Sequence, residues 1–400
     1  MSDQPVREMS ESLLGEARRL LIRSWSSDFE LPVIERAQGA VITDVHGKDY
    51  LDFSSGQMCA TVGHNHPKIL EAIRGTFQRA LHLNSSMLAP EVIRLAKQVT
   101  DLLPSPLKKV FFLSTGGEST EAAIKMAKKA TGKFEVVGLA DSFHGSTGGA
   151  LSSTFIPKRR AGHGPMVPGT HAIFAPNCYR CPLALTFPEC DYACARTGFE
   201  LVDKQSVGSL AALIAEPVQG AAGIVEPPPG YLGVLRTLCR EREMLFILDE
   251  AQTGLGRLGD MWGFERDGAA PDILALSKTL GGGIPLAATV TSAAIEERCY
   301  ENGFWFYTSH LNEPLPAAVG LAVLGAIEEE GLVDAAREKG AYLKKGLLAL
   351  KERYEIIGDV RGRGLLMGLD FVQDRVSKTP AEAQAEAITR QCLKRGLFMA

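Results

Sequence analysis

Two stretches of this 400-residue chain decide its fold: LFILDEAQTGLGR at 245–257 and DILALSKTLGGG at 272–283. Each is a short apolar run that ends abruptly in a charged residue and is followed by glycines. That pattern is typical of a buried parallel strand and of the loop that leaves its carboxyl end. Asp249 and Glu250 end the first run, and Lys278 ends the second. The carboxyl ends of parallel strands face one crevice, so we expect these charges to meet there.

The same alternation of apolar runs and amphipathic segments extends through the middle of the chain. It indicates βαβ units, and therefore an α/β fold with a mostly parallel sheet flanked by helices. We predict helices at 118–129 and 231–243, and we expect the apolar run at 317–327 to be a core helix. That run of 11 residues is shorter than the ~20 that a membrane-spanning helix needs. The predicted strands lie at 110–113, 134–140, 210–215, 245–249 and 273–276.

Both ends of the chain have a different character. Residues 1–55 are predicted to hold a helix and a hairpin with Gly47 in its turn. Residues 329–400 are predicted to hold a long helix at 332–354, a strand pair around 360–371 and a final helix. We therefore expect a large domain at 56–328 and a small α+β domain built from both ends.

Charge balance excludes several classes of protein. Lys and Arg number 43 against 47 Asp and Glu, which gives a net charge of −4. Such a chain has no basic excess to hold a nucleic acid or an anionic membrane. The N-terminal stretch contains acidic residues and lacks the apolar segment of a secretory leader, so we expect a cytoplasmic protein.

A glycine turn between a strand and a helix is the first candidate binding site. Thr115, Gly116 and Gly117 follow the predicted strand at 110–113 and precede the helix at 118–129. Free N–H groups at a helix N-terminus favour a phosphate. The motif matches neither G-x-G-x-x-G nor the Walker pattern, so a simple tight turn is the alternative.

Asp249 and Lys278 give that turn a chemical context. A lysine at a buried strand end can lose its proton and form a Schiff base with an aldehyde. An aspartate keeps a pyridine nitrogen protonated, so that the ring can draw electrons from a carbanion. A salt bridge at the end of the sheet would explain either residue alone. Together with the phosphate turn and the aromatic step Phe143-His144-Gly145, the pair favours a pyridoxal-phosphate site.

With these residues the chain resembles the class III, ornithine-aminotransferase-like family of fold-type I pyridoxal-phosphate (PLP) enzymes. The resemblance runs from about residue 32 to the last one, and within the family it is greatest to the 2,2-dialkylglycine decarboxylases. It is carried by DFSSGQM (52–58), LNSSML (83–88), LSTGGES (113–119), DSFHG (141–145), IAEP (214–217), ILDEAQTGLGR (247–257), LSKTLGGGIPLAA (276–288), FYTSHLNEPLPAAVGL (306–321) and GDVRGRGLLMG (358–368).

The resemblance implies a role for each cofactor-binding residue. Lys278 would bind the cofactor aldehyde and carry protons, Asp249 would pair with the pyridine nitrogen, and Ser309 would reach the phosphate of the other subunit in a homodimer or tetramer. Phe143 would stack on the ring and Gln252 would contact its hydroxyl. Glu216 would belong to the crevice, and His144 is either near the cofactor or purely structural. The full set is Thr115, Gly116, Gly117, Phe143, His144, Glu216, Asp249, Gln252, Lys278 and Ser309.

Gln57 is the residue expected to separate two possible reactions. PLP chemistry breaks the Cα bond that stands perpendicular to the ring, and by the resemblance a glutamine here holds the substrate carboxylate in that position. The implied activity is decarboxylation of a 2,2-dialkylglycine to a ketone and CO2, followed by amination of a 2-oxo acid such as pyruvate. If Gln57 only caps a turn, the alternative is an ordinary class III aminotransferase. Ser146 and Ala221 depart from the residues expected of the decarboxylases.

Two other classes of function would fit parts of the pattern. A non-catalytic ligand-binding protein on the same fold would show no turnover, and a nucleotide-binding protein would have no use for Lys278.

The arginine that binds the substrate carboxylate in this family is expected beyond Ala400.

The resemblance also implies an alkali cation, K+ or Na+, beside the site. Carbonyl, hydroxyl and carboxylate oxygens suit such a hard cation. Its ligand positions fall on Leu83, Ser85, Ser309, Leu311 and Glu313, with Glu313 in place of an aspartate. A second cation position would fall on Thr100, Leu103, Pro104 and Leu107.

Cysteines, histidines and arginines supply three further motifs, each with two interpretations. Four cysteines at 178, 181, 190 and 194 are either a zinc site or a surface loop of reduced thiols. His64 and His66 are better explained by a turn before a helix, with Pro67 at its first position, than by a metal pair. Arg361 and Arg363 are expected to form ion pairs at a strand start rather than to bind a substrate carboxylate.

Overall fold

The computed structural model describes residues 4–24, 29 and 31–399. Their strands are β1 (Ile34–Gln38), β2 (Val41–Asp44), β3 (Asp49–Asp52), β4 (Leu107–Leu113), β5 (Glu135–Leu139), β6 (Thr170–Ile173), β7 (Leu210–Ala215), β8 (Leu245–Asp249), β9 (Ile273–Leu276), β10 (Ala287–Ser292), β11 (Ile357–Arg363), β12 (Leu366–Phe371) and β13 (Leu397–Phe398).

The helices of the same residues are α1 (Gln4–Leu20), α2 (Ser55–Met58), α3 (Pro67–Thr76), α4 (Pro90–Asp101), α5 (Gly116–Thr131), α6 (Gly148–Ser153), α7 (Pro157–Arg160), α8 (Ala193–Gln205), α9 (Tyr231–Glu241), α10 (Ala293–Glu301), α11 (Pro314–Glu329), α12 (Leu332–Arg353) and α13 (Glu382–Lys394). Short 3-10 turns cover Glu265–Asp267 and Lys278–Gly281. No helix in the described part of the chain combines the length and the apolar character needed to cross a bilayer.

A seven-stranded sheet lies at the centre, in the order β4-β10-β9-β8-β7-β5-β6. Only β10 runs against its neighbours, antiparallel to both β4 and β9. The strands from β9 to β6 pair in parallel. Every residue of β7 and β9 is buried, as expected of parallel strands that are covered on both faces. The predicted α/β class with a mostly parallel sheet is confirmed.

The centre of the chain follows the sequence prediction closely. The bounds of β7, β8 and β9 are those predicted, and α5 extends the predicted helix at both ends. The apolar run at 317–327 lies within α11, which packs on α3 and α4 as a core helix. The sequence analysis missed β6 and β10, which have short or mixed polar patterns rather than uniform apolar runs.

A second sheet joins the two ends of the chain. β1, β2 and β3 form an antiparallel meander in the order β1-β2-β3, and β13 adds to β3 in parallel, with Leu397 opposite Leu51. The Lys48 ammonium also donates to the carbonyl of Lys394, at 2.9 Å. β11 and β12 pair separately as a two-stranded ribbon. The domain limits at residues 55 and 328 stay predictions.

Helix α12 approaches the loop after β11 at one residue without a side chain. A Cβ on Gly340 would lie 2.0 Å from the carbonyl oxygen of Gly364, which itself has a φ of +55°. Six residues further along the same helix, Gly346 faces open space. The close approach of α12 to Gly364 therefore requires a glycine at position 340, whereas position 346 of the same helix has room for a side chain.

We expect Gly340→Ala to destabilise the protein by about 1–3 kcal/mol, because the methyl group would have to displace backbone. Gly346→Ala is the matched control. It should be neutral or stabilise by up to about 1 kcal/mol, since alanine is the better helix former. Thermal unfolding midpoints of both variants check this. Equal midpoints would show that the close approach of Gly340 and Gly364 does not exist in solution.

Candidate active site

The carboxyl edge of the large sheet brings the predicted residues together. Gly116, at the start of α5, lies so close to the ends of β8 and β9 that a Cβ there would be 3.3 Å from Cβ of Ser277 and 3.6 Å from Cβ of Ala251. Ser277 directly precedes Lys278, and Ala251 follows Asp249 by two residues. The glycine turn, the aspartate and the lysine therefore share one crevice, as the strand order predicts.

The glycine turn is a well-formed helix start. The Thr115 hydroxyl accepts from the Glu118 amide at 3.3 Å, and the Glu118 carboxylate accepts from the amides of Ser114 and Thr115. This capping box leaves the amides of Gly116 and Gly117 without an acceptor in the helix. A Cβ on Gly145 would lie 2.8 Å from Cα of Gly117, so the 143–145 loop closes over the same turn. Two free amides at the positive end of a sixteen-residue helix suit a phosphate.

Asp249 is buried and held from two sides. Its Oδ2 lies 2.8 Å from Nδ1 of His144, and its Oδ1 accepts from the Ala251 amide at 3.0 Å. The His144 ring is fully buried, and the Thr154 hydroxyl fixes its backbone amide. His144 therefore contacts and orients Asp249. Of the two roles that the sequence left open, the structure places it as the partner of the aspartate.

Glu216 is buried behind the site. Its two oxygens accept from the amides of Phe143, at 2.9 Å, and Gly220, at 3.0 Å. Burial raises the pKa of this carboxyl group, and the nearby His144 works against the shift. One oxygen serves the loop that carries Phe143 and the other serves the segment after β7, so Glu216 ties that loop to the segment that carries Gly220.

Lys278 begins a 3-10 turn with a left-handed φ of +47°. Its Nζ lies 3.5 Å from Oε1 of Gln252, and the neighbouring Thr279 hydroxyl is 2.8 Å from that of Thr61. Helix α2, which contains Gln57, packs against this turn. Gln57 is exposed and has a non-helical backbone.

Two charged residues of the segment after β8 are buried and make structural hydrogen bonds. We expected Glu250 to face a site or a cation. It is instead buried and accepts from the amides of Gly263 and Phe264 and from the Thr253 hydroxyl. Arg257, which the sequence analysis did not single out, is buried and donates to the Met58 carbonyl and the Thr61 hydroxyl. It links the segment after β8 to the Gln57 segment.

The predicted alkali-cation residues come together only in part. Ser85 donates to the carbonyl of Thr308 at 3.3 Å, so the 83–85 segment lies beside 308–313. The Glu313 carboxylate contacts His82 and His310. At the second predicted position, the Lys108 ammonium donates to the carbonyls of Thr100 and Leu103 and so takes the place of a cation. The first cation position stays a prediction.

The four cysteines at 178, 181, 190 and 194 are free thiols in the structure. One group of three potential metal ligands in the described part of the chain has its donor atoms within 4.8 Å of one another. None of the four cysteines belongs to that group. Burial raises the pKa of the Cys194 thiol to about 11. The zinc site and the loop of reduced thiols both stay predictions.

The histidine and arginine motifs adopt structural roles. His66 caps α3, where it accepts from the Lys68 amide, and Pro67 is the first residue of that helix. His64 pairs with Asp52 at 2.7 Å. Arg361 pairs with Asp370 and Arg363 with Asp260, so both form ion pairs as predicted. They lie near the end of β11 and not at a strand start.

Comparisons with known proteins agree with this geometry. The family model for class III aminotransferases matches residues 23–400. The chain belongs to the class III aminotransferase family. It is 45% identical to an aminotransferase of Schizosaccharomyces pombe over 389 residues, which cover 96% of this chain and 85% of the relative. It is 34% identical to a leucine/methionine racemase of Thermococcus litoralis, covering 98% and 88%.

Solved transaminases share the fold of this class III protein. An amine transaminase from an uncultivated Pseudomonas species, with PLP bound, superposes with a TM-score of 0.91 at 32% identity, covering 96% of this chain and 91% of the other. An (S)-enantioselective omega-transaminase of Thermomicrobium roseum gives 0.91 at 31%, covering 97% and 91%. The predicted fold type and dependence on PLP are confirmed. The decarboxylase branch of the resemblance is not.

The buried Glu250 of this aminotransferase makes stability depend on pH. Burial raises its pKa to about 7. The folded state then binds this proton more tightly than the unfolded chain, so stability present at low pH is lost as the pH rises through about 7. We therefore expect the unfolding midpoint of Glu250→Gln to rise relative to that of the wild type between about pH 5 and about pH 8, because only the wild type loses stability over this range.

Thermal unfolding across that pH range measures the effect. Glu297→Gln, at an exposed position of α10, is the control and should follow wild type at every pH. A difference between Glu250→Gln and wild type that stays constant with pH would show that Glu250 is ionised in the folded protein throughout.

Proposed function

We propose that the protein transfers an amino group from a small amine or amino acid to a 2-oxo acid. The observation that carries this proposal is the convergence of Lys278, the buried Asp249 and the free amides of α5 in one crevice. The class III relatives support amino-group transfer at least as well as they support decarboxylation. It requires no group beyond those in the crevice and a 2-oxo acid acceptor.

The residues of the crevice fit PLP. The buried carboxylate of Asp249, oriented by His144 and the Ala251 amide, offers an anionic acceptor to a pyridine N–H. The amides of Gly116 and Gly117 face a phosphate-sized anion, and Phe143 supplies an aromatic face. Gln252 offers a hydrogen-bonding group beside Lys278. When bound, PLP supplies the electron sink that stabilises negative charge on the substrate Cα.

Lys278 carries the proton in this proposal. Its Nζ is half-buried at the end of β9, where it would take the proton from the substrate Cα and later give it back to the substrate. Asp249 is held in place by Nδ1 of His144 and by the Ala251 amide. Ser309 is exposed on the 308–313 segment, where it is available to complete the phosphate site of a second subunit.

We expect Lys278→Ala to lose the yellow colour of the bound cofactor and at least about 100-fold in transamination rate, the lower range for loss of a positioned acid–base group. Absorbance spectra and single-turnover assays with an amino donor measure both effects. Lys109→Ala, at an exposed position of β4, is the control and should retain colour and rate. An active, coloured Lys278→Ala protein would remove the basis of the proposal.

Decarboxylation is a second candidate because of the position of Gln57. Helix α2 packs against the turn that Lys278 begins, which supports a role in which the Gln57 amide hydrogen-bonds a substrate carboxylate near that lysine. A carboxylate held with its Cα bond perpendicular to the cofactor ring would be lost as CO2. With Gln57 idle, a substrate that has a Cα–H bond could turn so that this bond stands perpendicular to the ring, and it would then release the Cα proton instead.

A substrate panel separates the two reactions. For the second candidate we expect CO2 and ketone from 2-aminoisobutyrate in equal amounts, and alanine when pyruvate is added. Gln57→Ala should then lower CO2 release by about 10-fold or more, the scale of one lost charge-assisted hydrogen bond, while transamination of alanine persists. Brisk transamination without any CO2 would leave aminotransfer as the sole activity.

A further inference from the structure

A cluster of two histidines and one glutamate lies outside the cofactor crevice. His82 precedes the 83–85 segment, whereas His310 and Glu313 directly precede α11. Nδ1 of His82 lies 2.5 Å from Oε1 of Glu313, and Nδ1 of His310 lies 2.9 Å from the same oxygen. Among the residues that the structure describes, this is the group of three whose possible metal-ligand atoms lie within 4.8 Å of one another.

The glutamate of this cluster has an unused oxygen. The Glu313 side chain is only 9% exposed. While its Oε1 contacts both imidazoles, its Oε2 is buried and has no hydrogen-bond partner in the described part of the chain. A buried carboxylate oxygen without a partner is costly, and a bound cation relieves that cost.

We propose that His82, His310 and Glu313 form a binding site for a divalent transition metal of the zinc class. Two imidazole nitrogens and one carboxylate oxygen are a ligand set that zinc uses when a water completes the tetrahedron. Bonds of about 2.0–2.1 Å place tetrahedral ligands roughly 3.3 Å apart. The two distances from Nδ1 to Oε1 of Glu313, 2.5 and 2.9 Å, therefore need to widen by less than about 1 Å to admit the ion.

Metal binding at this site requires no net loss of protons from the two histidines. In the present contacts, each ring presents Nδ1 to the Glu313 carboxylate. On metal binding, Nδ1 becomes the ligand and each ring carries its proton on Nε2 instead. The side chains of His82 and His310 are 59% and 66% exposed, so solvent can mediate that exchange. Hard alkali cations prefer oxygen ligands, and two imidazoles therefore favour zinc over K+ or Na+ here.

The site would bridge two segments that otherwise meet through few contacts. Ser85 and Thr308 already join them by one hydrogen bond at 3.3 Å. A metal held by His82 on one segment and by His310 and Glu313 on the other would fix the loop that carries Ser309. Metal affinity is measured without turnover, so the test of this site does not depend on the proposed activity.

Zinc titration of the untagged, PLP-loaded protein tests the site. After chelator treatment, we expect about one Zn2+ per chain to bind at this site. His82→Gln and His310→Gln should each weaken binding by at least about 10–100-fold. His163→Gln, at an exposed position in another part of the chain, is the matched control and should bind as wild type does. Competition with a chromophoric chelator gives the affinities, and circular dichroism establishes that the variants are folded.

Three results would overturn the proposal. One is a wild-type protein that binds no zinc at micromolar free metal. Another is binding that both histidine variants retain while Cys181→Ser abolishes it, which would assign the metal to the cysteine loop. The third is stabilisation by K+ alone that is lost in Glu313→Gln but kept in His82→Gln, which would identify a hard-cation site formed by oxygen ligands.

Discussion

The site depends on keeping one negative charge at the buried end of a strand. Asp249 closes β8 in the interior, where an unpaired carboxylate would be strongly unfavourable. The structure compensates with an imidazole from the 143–145 loop and an amide from its own chain. These contacts orient the carboxylate before any cofactor arrives, so the site is already shaped for a cationic pyridine ring. The 143–145 loop is fixed in turn by Glu216 and Thr154.

The parts of the fold that the sequence predicts well are those where one physical signal dominates. Strands β7, β8 and β9 are continuous apolar runs with abrupt polar ends, and their bounds match the prediction. β10 has the sequence AATVTS, in which small and polar residues are buried by neighbouring strands, so no periodicity marks it. β13 has two residues and forms only because β3 offers an open edge. Such an edge is a property of the assembled sheet.

The candidate site shows the same division. Lys278, Asp249 and the glycine turn each follow a recognisable strand, so their convergence follows from topology. The link between His144 and Asp249 joins residues 105 positions apart, and no local pattern encodes it. Glu250 directly follows Asp249 and is equally acidic, yet it points to backbone amides because consecutive residues of an extended chain face opposite sides. The spacing of the four cysteines left a zinc site and a loop of reduced thiols both open, because spacing does not determine where the sulfur atoms point.

The antiparallel course of β10 has a mechanical consequence for the lysine. A parallel neighbour would be reached through a long crossover, whereas β9 and β10 are joined by a hairpin whose two strands bond to each other from Ile273 to Leu276. Lys278 therefore sits in a loop anchored at both ends by the same ladder, and it is further held by the β4 ladder beyond β10. Its backbone cannot shift without breaking hydrogen bonds on two sides. We therefore expect the motion of Lys278 during the reaction to be mainly that of its side chain.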